Sequence, residues 1–106
     1  MQEFEEASMN FDTYTIQPFL ERVALFISSG FAQNEIAKVV DLAIHMKVNE
    51  EQEVEFSIEY MGQKSILKIA IFKDDLTEAE IYFFASPNLA ELLQTEIERY
   101  TEELEN

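Results

Sequence analysis

His45 is the only histidine in this chain of 106 residues, and Asp41 precedes it by four positions. On a helix this spacing brings both side chains to one face, where the carboxylate could orient the imidazole for general-base catalysis. A nucleophile is missing from the pattern, because the chain has no cysteine and no serine in a Gly-x-Ser-x-Gly motif. One histidine also cannot build a histidine metal cluster. The pattern therefore predicts a surface or boundary histidine rather than a catalytic one.

Asp74, Asp75 and Glu78 form a second group of side chains that could do chemistry, as oxygen ligands of a divalent ion. They lack the alternating Asp-x-Asp-x-Asp-Gly pattern of a calcium loop, and two adjacent aspartates are typical of a turn. The two glycines, Gly30 and Gly62, cannot build a phosphate-binding loop. We therefore expect no bound metal, no cofactor and no catalytic activity.

The chain is strongly acidic, with 22 Asp and Glu residues against 7 Lys and Arg residues and a formal net charge of -15. Phosphate groups would repel such a chain, so direct binding to nucleic acid or to an anionic membrane is not expected. A charged partner should instead be a protein with a basic surface. Residues 13–48 carry three acidic and three basic residues, whereas residues 49–106 carry fifteen and four. The acidic excess therefore belongs mainly to the second half.

Nothing in the sequence predicts export or insertion into a membrane. The first residues, Met1 to Glu6, have neither the basic start nor the apolar run of a secretory signal. No segment reaches the roughly 18 uninterrupted apolar residues that a membrane-spanning helix needs. The absence of cysteine fits a reducing compartment. We therefore expect a cytoplasmic protein.

Three runs within residues 53–85 have the character of β-strands. In the first run apolar and acidic residues alternate, which gives a pleated strand one apolar and one acidic face. Gly62 favours a hairpin loop formed by Gly62 and Gln63, which would pair Tyr60 with Ser65. The second and third runs follow this loop and are separated by a short turn rich in aspartate. Together the runs predict an antiparallel meander.

Apolar residues at spacings of three and four predict a helix from Ile16 and another near the C-terminus that begins at Ser86-Pro87. Residues 34–48 are ambiguous, because their apolar residues alternate as in a strand while their polar residues recur at helical spacings. We predict a helix there and keep a strand over about 39–48 as the alternative. On the C-terminal helix the predicted solvent side carries Glu91, Glu96, Glu98, Glu102, Glu103 and Glu105.

These elements predict an α+β fold with two N-terminal helices, a three-stranded antiparallel meander and a C-terminal helix. Residues 14–106 form a single α+β domain in this prediction, because a chain of this length holds one core and no linker divides it. Residues 1–13 match neither helix nor strand, and we predict an irregular acidic N-terminal segment for them.

Both faces of the predicted sheet carry apolar side chains. Helices need only one of these faces, so the other must be covered by a second helix layer, the N-terminal segment, a second copy of the chain or a partner protein. The third strand adds either Tyr82 and Phe84 or Ile81 and Phe83 to that face, depending on how many residues the aspartate-rich turn uses. The candidate apolar contact residues, for a partner or for a homodimer, are Ile66, Phe72, Tyr82 and Phe84.

Acidic side chains at the sheet edge and on the last helix provide a second candidate surface. Alternate residues of a strand lie roughly 6.5 to 7 Å apart, similar to successive phosphates along a nucleic-acid strand, so a row of carboxylates could occupy a basic cleft. The alternative is an ordinary solvated surface. The candidate acidic contact residues are Glu53, Glu55, Glu59, Glu98 and Glu102.

These surfaces favour two functions of a non-catalytic protein-binding domain. The first is an acidic inhibitor or immunity-type protein that occupies a basic, often nucleic-acid-binding, surface of a partner protein. The second is a small acidic chaperone or adaptor that binds an apolar segment of a client on the sheet. A soluble domain without such a role, monomeric or homodimeric, is the remaining alternative.

Overall fold

The structure, a computed structural model, describes residues 4–105. Along this range the elements are β1 (Glu5–Asp12), α1 (Ile16–Ala24), α2 (Gln33–His45), β2 (Glu51–Tyr60), β3 (Gln63–Lys73), β4 (Glu78–Ala85) and α3 (Pro87–Glu105). The strands form one antiparallel sheet in the order β1-β4-β3-β2. The predicted α+β fold is confirmed, with its two N-terminal helices, its meander and its C-terminal helix.

Strand β1 occupies most of the segment for which an irregular structure was predicted. It pairs antiparallel with β4, with Ala7 opposite Phe83 and Phe11 opposite Ala79. Its alternation was hard to recognise in the sequence, because alanine adds little apolar character. The strand forms because β4 offers a free edge in the folded chain, which is a feature of the tertiary structure rather than of the local pattern. Met1 to Glu3 of the predicted irregular segment lie outside the described residues.

Helix α2 settles the ambiguous stretch in favour of a helix. It buries Ile36, Val39 and Ala43, which share one face because they are three and four residues apart. A fourth strand is present in the sheet, but it is β1. Residues 39–48 are not a strand, since they form the second half of α2 and the turn after it. A helix forms here because it can direct these apolar residues towards the core, which lies on only one side of the segment.

The hairpin between β2 and β3 turns at Met61 and Gly62 rather than at Gly62 and Gln63. Both loop residues have a positive φ, 52° and 78°, which is the combination found in type I′ hairpin turns. The pairing is therefore displaced by two residues, and Tyr60 lies opposite Gln63 instead of Ser65. Because a displacement of two keeps every side chain on its face, the predicted division of residues between the two faces remains correct.

All three helices pack against the same face of the sheet. The ring centroid of Phe19 on α1 lies 5.8 Å from that of Phe83 on β4. The ring of Tyr100 on α3 lies 6.5 Å from that of Phe11 on β1. Helix α2 contacts β2 and the end of β3 on the same side. The hydrophobic core therefore fills the space between this face and the helix layer.

A buried lysine joins α2 to the sheet. Lys73, at the end of β3, is 1% exposed, and its ammonium group donates hydrogen bonds to the carbonyl oxygens of Ala43 and Ile44. The last carbonyls of a helix have no partner within the helix, and the helix dipole favours a cation near them. Lys73 thus closes the C-terminus of α2 and holds it over β3.

Glu96 was predicted on the solvent side of α3, but the structure buries it, with 2% of its surface exposed. One of its carboxylate oxygens, Oε2, lies 2.8 Å from Nε of Arg22 on α1, although no hydrogen bond of good geometry reaches this oxygen. The hydrogen bond to Glu103 is the largest cause that raises the pKa of Arg22, and the charge of Glu96 adds to it. A carboxylate can be buried here because a cation from another helix compensates its charge.

Candidate functional site

The face of the sheet opposite the helices is open. All three helices of residues 4–105 lie on the other side, as the contacts of Phe19, Tyr100 and Lys73 demonstrate. We call this second surface the open face. Since the described part of the chain supplies no second helix layer, the apolar side chains on this face remain available for contact with another molecule.

Apolar side chains lie along the two central strands of the open face, with the charged side chains of Lys68 and Glu80 among them. We call these apolar side chains the apolar strip, and its members are Ile66, Ala70 and Phe72 on β3 and Tyr82 and Phe84 on β4. Ala70 lies directly opposite Tyr82 and is 5% exposed, whereas the larger members are partly exposed. The four apolar contact residues that the sequence singled out are therefore neighbours on one surface.

Acidic side chains line the two outer strands on the same face. We call this group the acidic rim, and its members are Glu6 and Asp12 on β1 and Glu51, Glu53 and Glu55 on β2. All of them are exposed. Because β1 and β2 are the two edges of the sheet, negative charge lies on both sides of the apolar strip.

Cross-strand pairing defines the width of this surface. One row across the sheet consists of Glu6, Phe84, Lys68 and Glu55, on β1, β4, β3 and β2 respectively. Neighbouring strands lie about 4.8 Å apart, so the two sides of the acidic rim are about 14 Å from each other. On the open face the apolar side chains of β3 and β4, together with Lys68 and Glu80, thus lie between acidic side chains of the two outer strands.

Lys68 is the basic residue within the apolar strip. Its ammonium nitrogen lies 2.8 Å from Oε1 of Glu53 and 5.7 Å from the ring centroid of Phe84. The hydrogen bond to Glu53 is the largest cause that raises the pKa of Lys68. Both side chains are solvent-accessible, so this ion pair is weak and exchangeable. Lys68 covers part of Phe84 and neutralises one carboxylate of the acidic rim.

The negative potential of the open face acts on Tyr82. Contact with Glu80 is the largest cause that raises the pKa of Tyr82 from 10.0 to about 12, and the charges of Glu6 and Asp74 contribute to the shift. Each of these carboxylates disfavours the negatively charged phenolate. The same field would favour a positively charged group placed on the open face.

The structure brings two of the predicted acidic contact residues together and separates the others. Glu53 and Glu55 lie side by side with the apolar strip. Glu59 is farther along β2, where its main chain pairs with the loop before α2. Glu98 and Glu102 are exposed on α3, half a turn away from the buried side of that helix. These two glutamates therefore point away from the sheet and cannot share a surface with Glu53.

Three members of the acidic rim were not predicted from the sequence. Glu51 precedes the run that was assigned to a strand, and Glu6 and Asp12 belong to β1, which was predicted as irregular. The signal that could have revealed β1 is a weak alternation, with small or apolar residues at positions 7, 9 and 11 and polar residues at positions 6, 8, 10 and 12. In the structure the side chains at positions 7, 9 and 11 are buried or partly buried, and those at positions 6, 8, 10 and 12 are exposed.

The other candidate groups occupy ordinary surface positions. His45 is exposed at the end of α2, with Nδ1 3.0 Å from Oδ1 of Asp41. Asp75 accepts hydrogen bonds from the main chain of Thr77 and Glu78, and the bond from Thr77 is the largest cause that lowers the pKa of Asp75. Over the residues that the structure describes, no three His, Asp or Glu side chains come together as a metal site.

None of the helices within residues 4–105 combines the length and the apolar character that a bilayer-spanning segment requires. Comparisons of the chain with protein-family models, with curated proteins and with solved structures found no match.

Proposed function

We propose that this chain is a non-catalytic protein-binding domain that receives a segment of another protein on its open face. The observation that supports this best is an apolar strip that no helix of the described chain covers, with an acidic rim on both sides of it. Removal of apolar surface from water lowers the free energy of a complex. Aromatic side chains contribute much of the binding energy in many interfaces. The proposal corresponds to the chaperone or adaptor hypothesis.

The composition of the open face indicates a partner of mixed character. Phe72, Tyr82 and Phe84 would contact apolar side chains of the partner, whereas the acidic rim would attract its basic side chains. Attraction between unlike charges speeds association and favours the correct orientation of the two proteins. A purely apolar client would leave the rim without a role.

The acidic inhibitor hypothesis is the second candidate. It is supported by Glu51, Glu53 and Glu55, which occupy alternate positions of the edge strand β2 and lie on one face. An inhibitor of this kind would contact a basic cleft through this row alone. Since the row would carry the binding, a change in the apolar strip would then have little effect on affinity.

A pair of variants tests the proposed function. Phe84→Asp places a charge within the apolar strip, and the matched control Glu98→Gln with Glu102→Gln changes the outer side of α3. Each protein is immobilised and exposed at low salt to an extract of the native cell, and the retained proteins are identified by mass spectrometry. We expect wild type and the control to retain the same partner and Phe84→Asp to lose it. Thermal unfolding checks that each variant is folded, and Phe84→Ser replaces Phe84→Asp if the charge prevents folding.

Two other results would decide against this proposal. If Phe84→Asp retains the partner while Glu51→Gln with Glu53→Gln and Glu55→Gln loses it, the acidic row carries the binding and the inhibitor hypothesis is correct. If wild type retains no protein beyond those retained by both of these variants, the open face is not a binding site.

A further inference from the structure

We infer that the segment received by the open face is a basic amphipathic α-helix, with one apolar stripe and with lysine or arginine residues on both sides of that stripe. This inference rests on the proposed function and specifies the chemistry of the partner. It follows from the dimensions of the apolar strip, from the state of the backbone groups on the open face and from the position of the acidic rim.

The dimensions of the open face match those of a helix. From Ile66 to Phe72 the strip extends over six residue steps of β3, which is about 20 Å. A helix of about 14 residues has the same length, because it rises 1.5 Å per residue. With its side chains such a helix is about 10 to 12 Å wide. If it lies over β3 and β4, its flanking side chains stand above the two sides of the acidic rim, about 14 Å apart.

The backbone of the sheet favours a helix over an extended segment on this surface. Strand β4 and residues 68–73 of β3 are paired with a strand on each side, so their N–H and C=O groups already have partners in the sheet. An extended segment that lies across the open face would leave its own backbone groups without partners in an apolar contact, and this is costly. A helix satisfies these groups internally. An extended segment would instead pair with an outer strand and leave the apolar strip uncovered.

The charges of the open face require basic residues on both flanks of the helix. Glu6 lies on one side of the strip, and Glu53 and Glu55 lie on the other. Lysine and arginine side chains can rest their apolar stems on the strip while their charged ends reach these carboxylates. Lys68 already uses this arrangement, since its stem covers Phe84 and its ammonium group reaches Glu53. A partner side chain could take the same position from the opposite direction.

The charge also argues against a second copy of the chain as the occupant. A symmetric dimer through the open face would bring each acidic rim against its own copy, because the same surface is used on both sides. Like charges in contact across an interface are unfavourable, and the net charge of -15 increases the repulsion. The negative charge of the acidic rim therefore favours a basic partner over a second copy of the chain.

Three synthetic peptides of about 14 residues test this inference, the length being that of the strip. The first carries leucines at helical spacings of three and four with lysines on both flanks. The second has the same composition in scrambled order, and the third keeps the leucine stripe but replaces the lysines with glutamates. Each peptide is fluorescently labelled and titrated with the full chain, with anisotropy as the measure of binding. Circular dichroism records whether the peptide becomes helical when it binds.

We expect the first peptide to bind, to gain helicity and to bind more weakly as ionic strength rises from about 0.01 to 0.15 M. The scrambled and the acidic peptides should bind at least about tenfold more weakly. Glu6→Gln with Glu55→Gln should reduce the affinity about threefold, as expected for exposed ion pairs. The control Glu98→Gln with Glu102→Gln removes the same charge from the other side of the molecule and should change the affinity less.

Specific results would overturn the inference, and they differ in what they mean for the proposed function. Equal binding of the first and the scrambled peptide would mean attraction by charge alone, and binding without helicity would mean an extended occupant. If no peptide binds while the partner from the cell extract still depends on Phe84, the occupant is not a basic helix although the open face binds a protein. Self-association of the chain that Phe84→Asp abolishes, measured by sedimentation equilibrium, would identify a second copy as the occupant.

Discussion

The ammonium group of Lys68 lies 2.8 Å from a carboxylate oxygen of Glu53, in an ion pair that connects β3 with β2 on the open face. The pair is exposed to solvent, and Lys68 also rests over the ring of Phe84, 5.7 Å from its centroid. Lys68 therefore occupies, in the free protein, a carboxylate and part of an aromatic ring that a basic partner would use. A cation from the chain itself competes with the cation of the partner.

This competition predicts that removal of Lys68 strengthens binding. In Lys68→Gln the carboxylate of Glu53 is free and the negative charge of the open face increases, so the affinity for the lysine-flanked peptide should rise about threefold, as for one exposed ion pair. Fluorescence anisotropy measures the change. The control Lys38→Gln alters an exposed lysine of α2, on the helix side of the molecule, and should give a smaller increase. Weaker binding by Lys68→Gln than by wild type would mean that Lys68 itself contacts the partner.

The surroundings of Gly30 and Gly62 predict that substitution by alanine lowers the free energy of unfolding by very different amounts. A Cβ atom on Gly30 would lie 2.0 Å from the main-chain oxygen of Ser57, and Gly30 also has a φ of +90°. Gly30→Ala should therefore lower the free energy of unfolding by about 3 kcal/mol, through steric overlap and backbone strain. Gly62 has a φ of +78° but no atom within 4 Å, so Gly62→Ala should cost about 1 kcal/mol from strain alone.

Urea denaturation of both glycine variants provides the measurement. Each variant serves as the control of the other, because both substitutions add one methyl group at a residue with positive φ and differ only in the space around it. Equal costs for the two variants would show that the loop at Gly30 can move away from β2, and that its bridge to Glu59 is not a rigid contact.

The hydrogen bonds of Lys73 predict that its ammonium group is important for stability. In Lys73→Met the apolar stem is replaced by one of similar length, but the carbonyl oxygen of Ala43 loses its donor at a buried position and that of Ile44 at a partly buried one. A buried acceptor without a partner costs about 2 kcal/mol, and we expect a decrease of that size in the free energy of unfolding. Lys38→Met, at an exposed position, should change it by less than about 0.5 kcal/mol.

Chemical denaturation measures both lysine variants. A stability of Lys73→Met equal to that of wild type would contradict the prediction. It would show that the cost of removing the ammonium group from water cancels the gain from its two hydrogen bonds.

The raised pKa of Tyr82 predicts a loss of stability in alkaline solution. An unfolded tyrosine ionises near pH 10, whereas Tyr82 in the folded chain ionises at about 12 because the carboxylate of Glu80 stands beside it. Between these values the folded state holds the proton more tightly than the unfolded state, so stability falls as the pH rises from about 10 to about 12. Below pH 10 this contribution is fully present.

The absorbance of tyrosinate, followed as a function of pH, measures the ionisation of Tyr82 as the difference between wild type and Tyr82→Phe. Glu80→Gln should move this ionisation to a lower pH, because the largest cause of the shift is removed. The variant Tyr82→Phe should lose less stability than wild type over the same pH range. An unchanged ionisation in Glu80→Gln would show that Glu80 does not act on the phenol.

The strands of the meander, and the faces of the side chains on the first two of them, could be predicted from the sequence, because alternation such as that between Val54 and Tyr60 is a local property. The choice between Tyr82 with Phe84 and Ile81 with Phe83 on the second face depended on how β4 pairs with β3. The exact register could not be predicted, because the sequence is compatible with a turn that uses either neighbour of Gly62. The φ of Met61 is known only once the strands are paired. The error of two residues left the faces unchanged. It therefore did not affect the identification of the apolar contact residues.

Part of the candidate site could likewise be predicted from the sequence. Phe72 and Phe84 were recognised because they add apolar bulk to the face that helices do not need. Glu6 was not, because it becomes part of the site only when β1 pairs with β4. Glu98 was grouped with Glu53 because both are acidic, although the sheet separates them in space.

The sequence by itself determined the class of the fold, the two-sided character of the sheet and the acidic excess, since each of these depends on residue types and their spacing. The tertiary structure decided which edge β1 joins, that all three helices share one face, and that the acidic rim lies on both sides of the apolar strip. The physical reason is that a local pattern fixes only the direction in which a side chain points. What lies in that direction depends on segments far away in the chain, brought there by the burial of the common core.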